Sequence, residues 1–516
     1  MVGLEKSAIS RRGLLKGATA LGAVLLPGRA GAADPHHAHM DATLGLVPRQ
    51  VPPATDQPFV EPEVRRSANG ELRTSMSMRY AYRDIGGVRL YVRTYEGAVP
   101  GPTLRLQPGD VLKLRLANDF PPNRDAMPAD MSIPHQFNNT NFHFHGAHVS
   151  PSGIADNVMR SMVPGETYDV EIALPKDHTR GTYWYHPHHH GSADVQMASG
   201  MAGVIIVEGD FADVPEITAA RDRVLVLAQV VYDSRGMIED FGTTLFPETA
   251  TRFLTVNGQR RPTIRMRPGE VQRWRLLDAG YQDDMLLELE NHELHAIAYD
   301  GIQLGAVEHF KKLLIAPGQR ADVLVQAGAP GTYEFRALPY DQGHPSPVGP
   351  LARLVVEGEP MTMKLPAALP RPPLDSIKDS EITGRRTVTF SATAPEADAA
   401  GHFQEFGFFI DGKKFDPNRI DQRVKLGAVE EWTIENTHEH DDHVFHIHTN
   451  PFLVTKMNGK PLATPQWRDT AIVERKGGSL TFRSRFLDYT GIYMLHCHMM
   501  NHEEMGMMQT VEVYKE

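Results

Sequence analysis

The chain has 516 residues and a formal net charge of -11. Its length favours several domains over one. Its 44 glycines and 38 prolines, set between short runs of valine, leucine, isoleucine, threonine and tyrosine, favour a β-rich fold. No basic run lies outside the N-terminus, so the sequence carries no electrostatic footprint for a nucleic acid. We expect neither DNA nor RNA as a partner.

A targeting signal is predicted at residues 1–33. Arg11 and Arg12 stand before an apolar run that ends at Leu26, and small residues follow. This order is typical of a cleaved twin-arginine leader, and the run is shorter than the roughly 20 residues that span a bilayer. We therefore expect export by the twin-arginine machinery to the periplasm or the medium, with no stable membrane anchor. Residues 34–57 are predicted to form a flexible segment.

A phrase of nine residues recurs along the chain. PTLRLQPGD at residues 102–110 matches PTIRMRPGE at residues 262–270, and a weaker third copy runs from Arg419 through Gly427. Each copy leads into a segment of alternating side chains, which predicts a strand, a turn and a second strand. The sequence therefore predicts an all-β fold of three consecutive β-sandwich domains.

A second repeated phrase separates the three domains by their chemistry. Residues 181–188 read GTYWYHPH and residues 491–498 read GIYMLHCH, whereas the middle copy at residues 331–338 reads GTYEFRAL and has no histidine. We therefore expect metal ligands in the outer two domains only. The predicted domain limits are 58–208, 209–360 and 386–516, with a Pro-rich linker at 361–385.

Four short motifs supply histidines at alternate positions. Residues i and i+2 of a strand point to the same face, so each pair projects two imidazoles in one direction and four pairs can converge on one cavity. Imidazole binds copper, zinc, iron and nickel, so the number of histidines does not choose the metal. The pairs are His143 with His145, His186 with His188, His446 with His448, and His496 with His498.

The chain's single cysteine indicates which metal is bound. Cys497, His443 and His502 offer a thiolate and two imidazoles, and Met507 offers a weak thioether. Together they form the ligand set of a blue-copper electron-transfer site. Cys497 stands between the last pair of histidines and points to the opposite face of the strand. One covalent path therefore joins the two sets of ligands, an arrangement suited to passing electrons.

The four motifs, in this order and over nearly the whole mature chain, resemble those of three-domain multicopper oxidases of the laccase and cuprous-oxidase group. The resemblance implies cupredoxin-like Greek-key domains, dioxygen as the electron acceptor and four copper ions. It implies a type 1 copper on His443, Cys497, His502 and axial Met507. It implies a type 2 copper on His143 and His446, and a type 3 pair on His145, His186, His188, His448, His496 and His498.

The resemblance also implies two carboxylates that deliver protons to the oxygen-reducing centre. Their best matches here are Asp156, which follows the first histidine pair, and Glu503, which follows His502 directly. Carboxylates in solvated loops are the alternative reading for both, because such residues are mostly exposed. The motifs leave open the roles of five further histidines, namely His148, His189, His190, His438 and His440.

The sequence leaves two classes of reductant open. A laccase-like enzyme takes electrons from phenols or aromatic amines, whereas a metallo-oxidase holds Cu(I), Fe(II) or Mn(II) close to His443. Glu439 and Asp441 are candidate substrate ligands, but the long methionine-rich insertion of cuprous oxidases is missing from the third domain. Carboxylates without clustered thioethers favour aromatic substrates or harder ions over Cu(I). We therefore expect laccase-like oxidation of phenols.

Two other classes fit less well. Some proteins with three such sandwiches lack copper and serve structural roles, so the fold alone implies no activity. That branch would have lost its ligands, whereas all ten histidines and Cys497 are present here. A two-domain copper nitrite reductase would lack the third repeat and the fourfold arrangement of histidine pairs.

Overall fold

The computed structural model describes residue 54 and residues 56–232, 236–238, 251–344, 346–393 and 407–516. The predicted leader at 1–33 lies outside these residues, as does the segment 34–57 except for residues 54, 56 and 57. The described part forms pairs of β-sheets that follow one another along the chain as three sandwiches. The prediction of an all-β fold with cupredoxin-like domains is confirmed.

The first sandwich pairs a five-stranded sheet with a four-stranded one. The sheet orders are β1-β4-β9-β8-β6 and β3-β2-β5-β7. The strands are β1 (Val64–Arg66), β2 (Glu71–Ile85), β3 (Val88–Tyr95), β4 (Thr103–Leu106), β5 (Val111–Asn118), β6 (His143–His145), β7 (Thr167–Ala173), β8 (Gly181–His186) and β9 (Gly203–Val207).

The second sandwich pairs a six-stranded sheet with a five-stranded one. The sheet orders are β11-β10-β13-β18-β15-β16 and β12-β20-β19-β14-β17. The strands are β10 (Arg221–Tyr232), β11 (Thr251–Val256), β12 (Thr263–Met266), β13 (Val271–Asp278), β14 (Met285–Leu289), β15 (Leu294–Tyr299), β16 (Ile302–Phe310), β17 (Leu313–Ile315), β18 (Arg320–Gln326), β19 (Gly331–Leu338) and β20 (Gly349–Val356).

The third sandwich has the same two sheet sizes as the second. The sheet orders are β22-β21-β24-β29-β26-β27 and β23-β31-β30-β25-β28. The strands are β21 (Gly384–Thr393), β22 (Gly407–Ile410), β23 (Gln422–Lys425), β24 (Ala428–Asn436), β25 (His443–Ile447), β26 (Phe452–Met457), β27 (Lys460–Arg468), β28 (Thr470–Val473), β29 (Gly478–Phe486), β30 (Gly491–Cys497) and β31 (Met508–Tyr514).

Helices are short in the described residues. They are α1 (Ala193–Ala198), α2 (Pro215–Thr218), α3 (Met500–Glu504) and a 3-10 turn at Asp379–Glu381. Within the described ranges, no helix has the length and apolar character required to cross a membrane.

Alternation of side chains builds each sandwich core. In β7, which reads TYDVEIA, every second residue is buried, and its apolar residues lie opposite the leucines of β5. Leu112 pairs with Ile172 and Leu114 with Val170, all within the apolar core of the first sandwich. Burying one such side chain stabilises the fold by about 1.5–3 kcal/mol. A one-residue slip would expose the whole face, which fixes the register.

The strands that carry the repeated phrase occupy the same place in each sandwich. Strands β8, β19 and β30 lie inside their sheets, flanked by β6 and β9, by β14 and β20, and by β25 and β31. In the outer two sandwiches β8 ends at His186 and β30 ends with His496 and Cys497, whereas β19 ends at Leu338. The third sandwich begins at Gly384, which pairs with Glu430, two residues before the predicted start at 386.

Candidate metal centre

Neighbouring strands bring the four histidine pairs together. In the first sandwich β6 lies antiparallel to β8 with His143 opposite His186. In the third, β25 lies antiparallel to β30 with His446 opposite His496. The rings of the two sandwiches meet, because His143 stacks on His448 with their centroids 4.0 Å apart. All eight side chains, called here the histidine cluster, are buried.

The ring nitrogens of the histidine cluster face one another closely. The Nε2 atom of His188 lies 3.1 Å from the Nε2 atoms of both His496 and His448. The Nε2 atom of His498 lies 3.2 Å from Nδ1 of His145. One donor atom each from His143, His446 and His448 also lie within 4.8 Å of one another, as do those of His143, His145 and His186. This grouping places several sets of three nitrogens around a common centre.

Contacts on the outer side of the rings fix their orientation. The Nδ1–H of His186 donates to the carbonyl of Pro187 at 3.0 Å, and that of His446 donates to the carbonyl of Asp469 at 2.7 Å. The Nε2 atoms of both rings therefore carry the lone pair, and both are buried without a hydrogen-bond partner, like Nε2 of His143. Such orphaned buried nitrogens cost about 1–3 kcal/mol each, and an imidazole anchored in this way is a typical metal ligand.

The protonation state of the cluster also suits a metal. Burial, reinforced by the neighbouring imidazoles, holds the pKa of His143, His145, His446 and His448 well below 6.5. These rings are therefore neutral, and the neutral ring is the form that binds a metal ion. The donor set and the orphaned nitrogens fit the copper ions that the sequence predicts.

A second group of donors lies beside the histidine cluster and is called here the cysteine site. The Sγ atom of Cys497 lies 3.6 Å from Nδ1 of His443 and 3.7 Å from Nδ1 of His502, and the two Nδ1 atoms are 3.1 Å apart. Met507 is buried in the same apolar core as Cys497 and accepts the Cys497 N–H at its backbone carbonyl, 3.0 Å away. Phe408 stacks on His502 with centroids 3.9 Å apart and closes one side.

The thiol of Cys497 needs a metal to ionise. It is fully buried, and burial raises its pKa to about 12. A thiolate at neutral pH therefore requires a bound cation. His496, which precedes Cys497 in β30, and His498, which directly follows the strand, belong to the histidine cluster, so a single strand end contributes to both groups of donors.

The two predicted carboxylates lie against the histidine cluster and are buried. Asp156 lies 3.0 Å from Nδ1 of His143 and accepts the Phe144 N–H at 2.7 Å. Burial raises its pKa to about 8. Glu503 lies 2.8 Å from Nδ1 of His496 and 3.6 Å from Nδ1 of His188. Burial acts against ionisation of Glu503, but the adjacent imidazoles outweigh it and lower the pKa.

A network that the sequence did not indicate connects the middle sandwich to the cluster. Arg320 donates to both carboxylate oxygens of Asp469, at 2.9 and 2.5 Å. Asp469 lies 3.3 Å from Nε2 of His145, and the Thr470 hydroxyl lies 3.2 Å from that atom and from Nδ1 of His446. The middle sandwich therefore helps to position cluster histidines of both outer sandwiches, although it supplies none of the predicted ligands.

The two candidate substrate ligands have different surroundings in the structure. Glu439 is exposed, whereas Asp441 is half-buried and lies 3.1 Å from Nδ1 of His344. His344 belongs to the middle sandwich and also lies 3.3 Å from Asp283. Burial alone would lower the pKa of His344, but the two carboxylates raise it to about 10. Asp441 is thus engaged in an ion pair.

The five open histidines have separate surroundings. His148 lies 2.9 Å from Asp488 near the surface, and His438 stacks on His443 with centroids 5.4 Å apart. The exposed ring of His440 packs edge-on against His438. His190 contacts the carbonyl of Met131, and His189 lies near Ser192.

Three β-sandwiches that carry an eight-histidine cluster and an adjoining cysteine site define a class of copper-binding oxidoreductase. Family models described as multicopper oxidase match residues 133–211, 229–357 and 384–516. The chain belongs to the multicopper oxidase family and is an enzyme of the oxidoreductase class. The family implies copper as the metal.

Relatives with different roles share this similarity. The multicopper oxidase mco of Staphylococcus aureus is 26% identical over 431 residues, which cover 82% of this chain and 83% of the relative. The cell division protein FtsP of Dickeya dadantii is 24% identical over 476 residues, covering 87% of this chain and 91% of that protein.

Solved structures show the same fold. A multicopper oxidase from Campylobacter jejuni, described as a metallo-oxidase, has a TM-score of 0.75 and 24% identity, covering 92% of this chain and 98% of that one. A laccase-like multicopper oxidase CueO from Ochrobactrum sp. has a TM-score of 0.72 and 25% identity, covering 89% of this chain and all of that one.

Proposed function

We propose that the enzyme couples one-electron oxidation of phenols or aromatic amines at a type 1 copper to the four-electron reduction of dioxygen to water at a type 2/type 3 cluster. The observation that carries the proposal is the end of β30, where Cys497 belongs to the cysteine site and its two neighbours belong to the histidine cluster. When bound, four copper ions would supply the one-electron steps and the reduction of dioxygen.

We assign the ligands as the resemblance to this family implies. Cys497, His443, His502 and Met507 would hold the type 1 ion. His143 and His446 would hold the type 2 ion. The type 3 pair would be held by His145, His186 and His498 on one side and by His188, His448 and His496 on the other, a division supported by the contacts between their ring nitrogens.

The two buried carboxylates would take part in proton transfer to the histidine cluster. Asp156 faces Nδ1 of His143, and Glu503 faces His188 and His496. Both are buried against ligands, so each lies where a proton can be passed to the cluster without direct exposure to solvent. Asp156, whose pKa is raised, is suited to store a proton near neutral pH, whereas Glu503, whose pKa is lowered, stays ionised and is suited to accept hydrogen bonds from His188 and His496.

The environment of His443 supports an organic reductant over a metal ion. A substrate metal would need Asp441 as a ligand, yet that carboxylate lies against His344, and its partner Glu439 is exposed. Breaking a partly buried ion pair to bind a metal is costly. An aromatic reductant needs no such ligand. Metallo-oxidase activity remains the second candidate, because Glu439 and Asp441 do stand within four residues of His443.

A structural role without catalysis is not our proposal, although one relative is named a cell division protein. A protein freed from copper binding would have no reason to keep every ligand, and here the full set is present and buried. We further propose that the chain is exported by the twin-arginine route to the periplasm or the medium, on the strength of the predicted leader.

Oxygen consumption by the copper-loaded enzyme tests the proposal. We expect turnover with a simple phenol to exceed turnover with Cu(I), Fe(II) and Mn(II), and the Cys497→Ser variant to have no turnover while its circular dichroism is unchanged. Glu439→Ala should leave phenol oxidation intact, like Glu435→Ala, an exposed control on β24. Selective loss of metal-ion oxidation in Glu439→Ala, with faster turnover of the metal than of the phenol, would establish the metallo-oxidase instead.

A further inference from the structure

A cavity of about 280 Å³ lies between the first and third sandwiches and reaches the histidine cluster. His188, a predicted ligand, forms part of its wall, and Phe415 and Met508 of the third sandwich form another part. Met127 and Met159, at its outer side, are 51% and 39% exposed. The cavity therefore extends from solvent-exposed side chains to the edge of the metal centre.

The cavity is lined by an unusual number of thioethers. Met494 and Met508 are buried and pack with Val158 in a small apolar cluster, which is the ordinary use of methionine as filler. The exposed Met127 and Met159 cannot be explained in this way, because they fill no core. Exposed methionines that line a cavity beside imidazoles are available as soft ligands.

Three histidines outside the predicted ligand set share this cavity, and two of them have a defined tautomer. The Nδ1–H of His135 donates to the carbonyl of Ile133 at 2.7 Å, which leaves the lone pair on Nε2. The Nε2–H of His190 donates to the carbonyl of Met131 at 2.8 Å, which leaves the lone pair on Nδ1. That Nδ1 atom is buried without a hydrogen-bond partner and lies 3.6 Å from a carboxylate oxygen of Glu504, and the side chain of His190 is only 10% exposed.

A carbonyl fixing one ring nitrogen while the other keeps a free lone pair is the arrangement of a metal-binding histidine. Thioether sulfur combined with imidazole selects Cu(I) over hard divalent ions. Met127, Met131 and Met159 line the same cavity as these rings. Together with His135 and His190 they are called here the methionine chamber.

We propose that the methionine chamber binds one Cu(I) ion in addition to the four resident ions and passes copper inward to the histidine cluster. Transfer needs only exchange of ligands, with His188 as the first cluster ligand on the path, so no electron is gained or lost. The inference rests on copper as the resident metal and is independent of which substrate is oxidised.

Silver(I), a redox-inactive substitute for Cu(I), tests the site in protein that is already loaded with copper. We expect one equivalent of Ag(I) to bind per chain in equilibrium dialysis without loss of copper or of the visible thiolate absorption. The triple variant Met127→Leu, Met131→Leu, Met159→Leu should lose this equivalent, because leucine keeps the volume and removes the sulfur. The control Met361→Leu, Met457→Leu changes methionines remote from the cavity and should retain it.

The rate at which apoprotein acquires Cu(I) from a weak chelator tests delivery. We expect the triple variant to fill several-fold more slowly than the control and to reach the same final copper content, measured by metal analysis after rapid desalting. Absence of the extra silver, or its retention by the triple variant, would overturn the site. Equal filling rates would overturn delivery. A missing thiolate absorption in the loaded parent would instead refute the proposed function.

Discussion

Gly318 offers a sharp test of the contact between the middle sandwich and the metal centre. It lies in the loop between β17 and β18 with φ of +87°, and a Cβ atom there would lie 3.0 Å from three ring atoms of His498. Ordinary contacts of this kind are 3.4 Å or longer. Gly318→Ala therefore has to push the ring by a few tenths of an ångström, and that ring already lies 3.2 Å from Nδ1 of His145.

The cost of the backbone conformation can be separated from the cost of the contact. Gly427 has a φ of +92°, and a Cβ atom there would have no other atom within 4 Å, so Gly427→Ala is a matched control. In both variants a residue with a Cβ atom adopts a left-handed backbone, which costs about 1–2 kcal/mol. Only Gly318→Ala disturbs His498, a proposed ligand, and loss of such support typically lowers metal affinity about 10–100-fold.

Copper retention in graded concentrations of a chelator measures this difference. We expect Gly318→Ala to lose copper from the histidine cluster at a lower chelator concentration than the parent, with its visible thiolate absorption largely preserved. Gly427→Ala should retain copper like the parent. Equal retention by the two variants would refute the idea that the middle sandwich constrains His498.

Two further predictions concern stability. Arg320→Met removes both donors from the buried carboxylate of Asp469, so the free energy of unfolding of the apoprotein in urea should fall by about 3–5 kcal/mol. The control Arg336→Met, at an exposed ion pair, should change this free energy little. A similar small change in both variants would contradict the prediction. The pKa of His344 is raised from 6.5 to about 10 by its two aspartate partners. The ion pairs of protonated His344 therefore contribute fully to stability below pH 6.5, and this contribution is lost as pH rises through about 10. The stability difference between the parent and His344→Gln should shrink accordingly, and a constant difference would count against the ion pair.

The regular features of the site could be predicted from the sequence because they follow from local geometry. The two-residue period of a strand is sufficient to pair His143 with His145 and to set Cys497 on the face opposite its neighbours. The recurrence of the same phrase in three domains was sufficient to predict three sandwiches, and β8, β19 and β30 do occupy equivalent places. Patterns of this kind need no knowledge of distant contacts.

Long-range contacts could not be predicted in this way. Arg320 and Asp469 are separated by 149 residues, and neither stands in a motif or beside a histidine of the cluster in sequence. The same holds for His344, which lies 97 residues before its partner Asp441. A single arginine, aspartate or histidine has many possible roles, and only the folded chain selects one. The methionine chamber likewise gathers residues from separate segments.

The copper content of the fully loaded protein, compared with that of Cys497→Ser, tests whether one strand end serves two groups of donors, one of which depends on the thiolate. We expect four copper ions per chain, not counting any Cu(I) in the methionine chamber, and an intense visible thiolate absorption in the parent, with three such ions and no such absorption in Cys497→Ser. A parent that binds copper without this absorption, or a serine variant that keeps all four ions, would contradict this expectation.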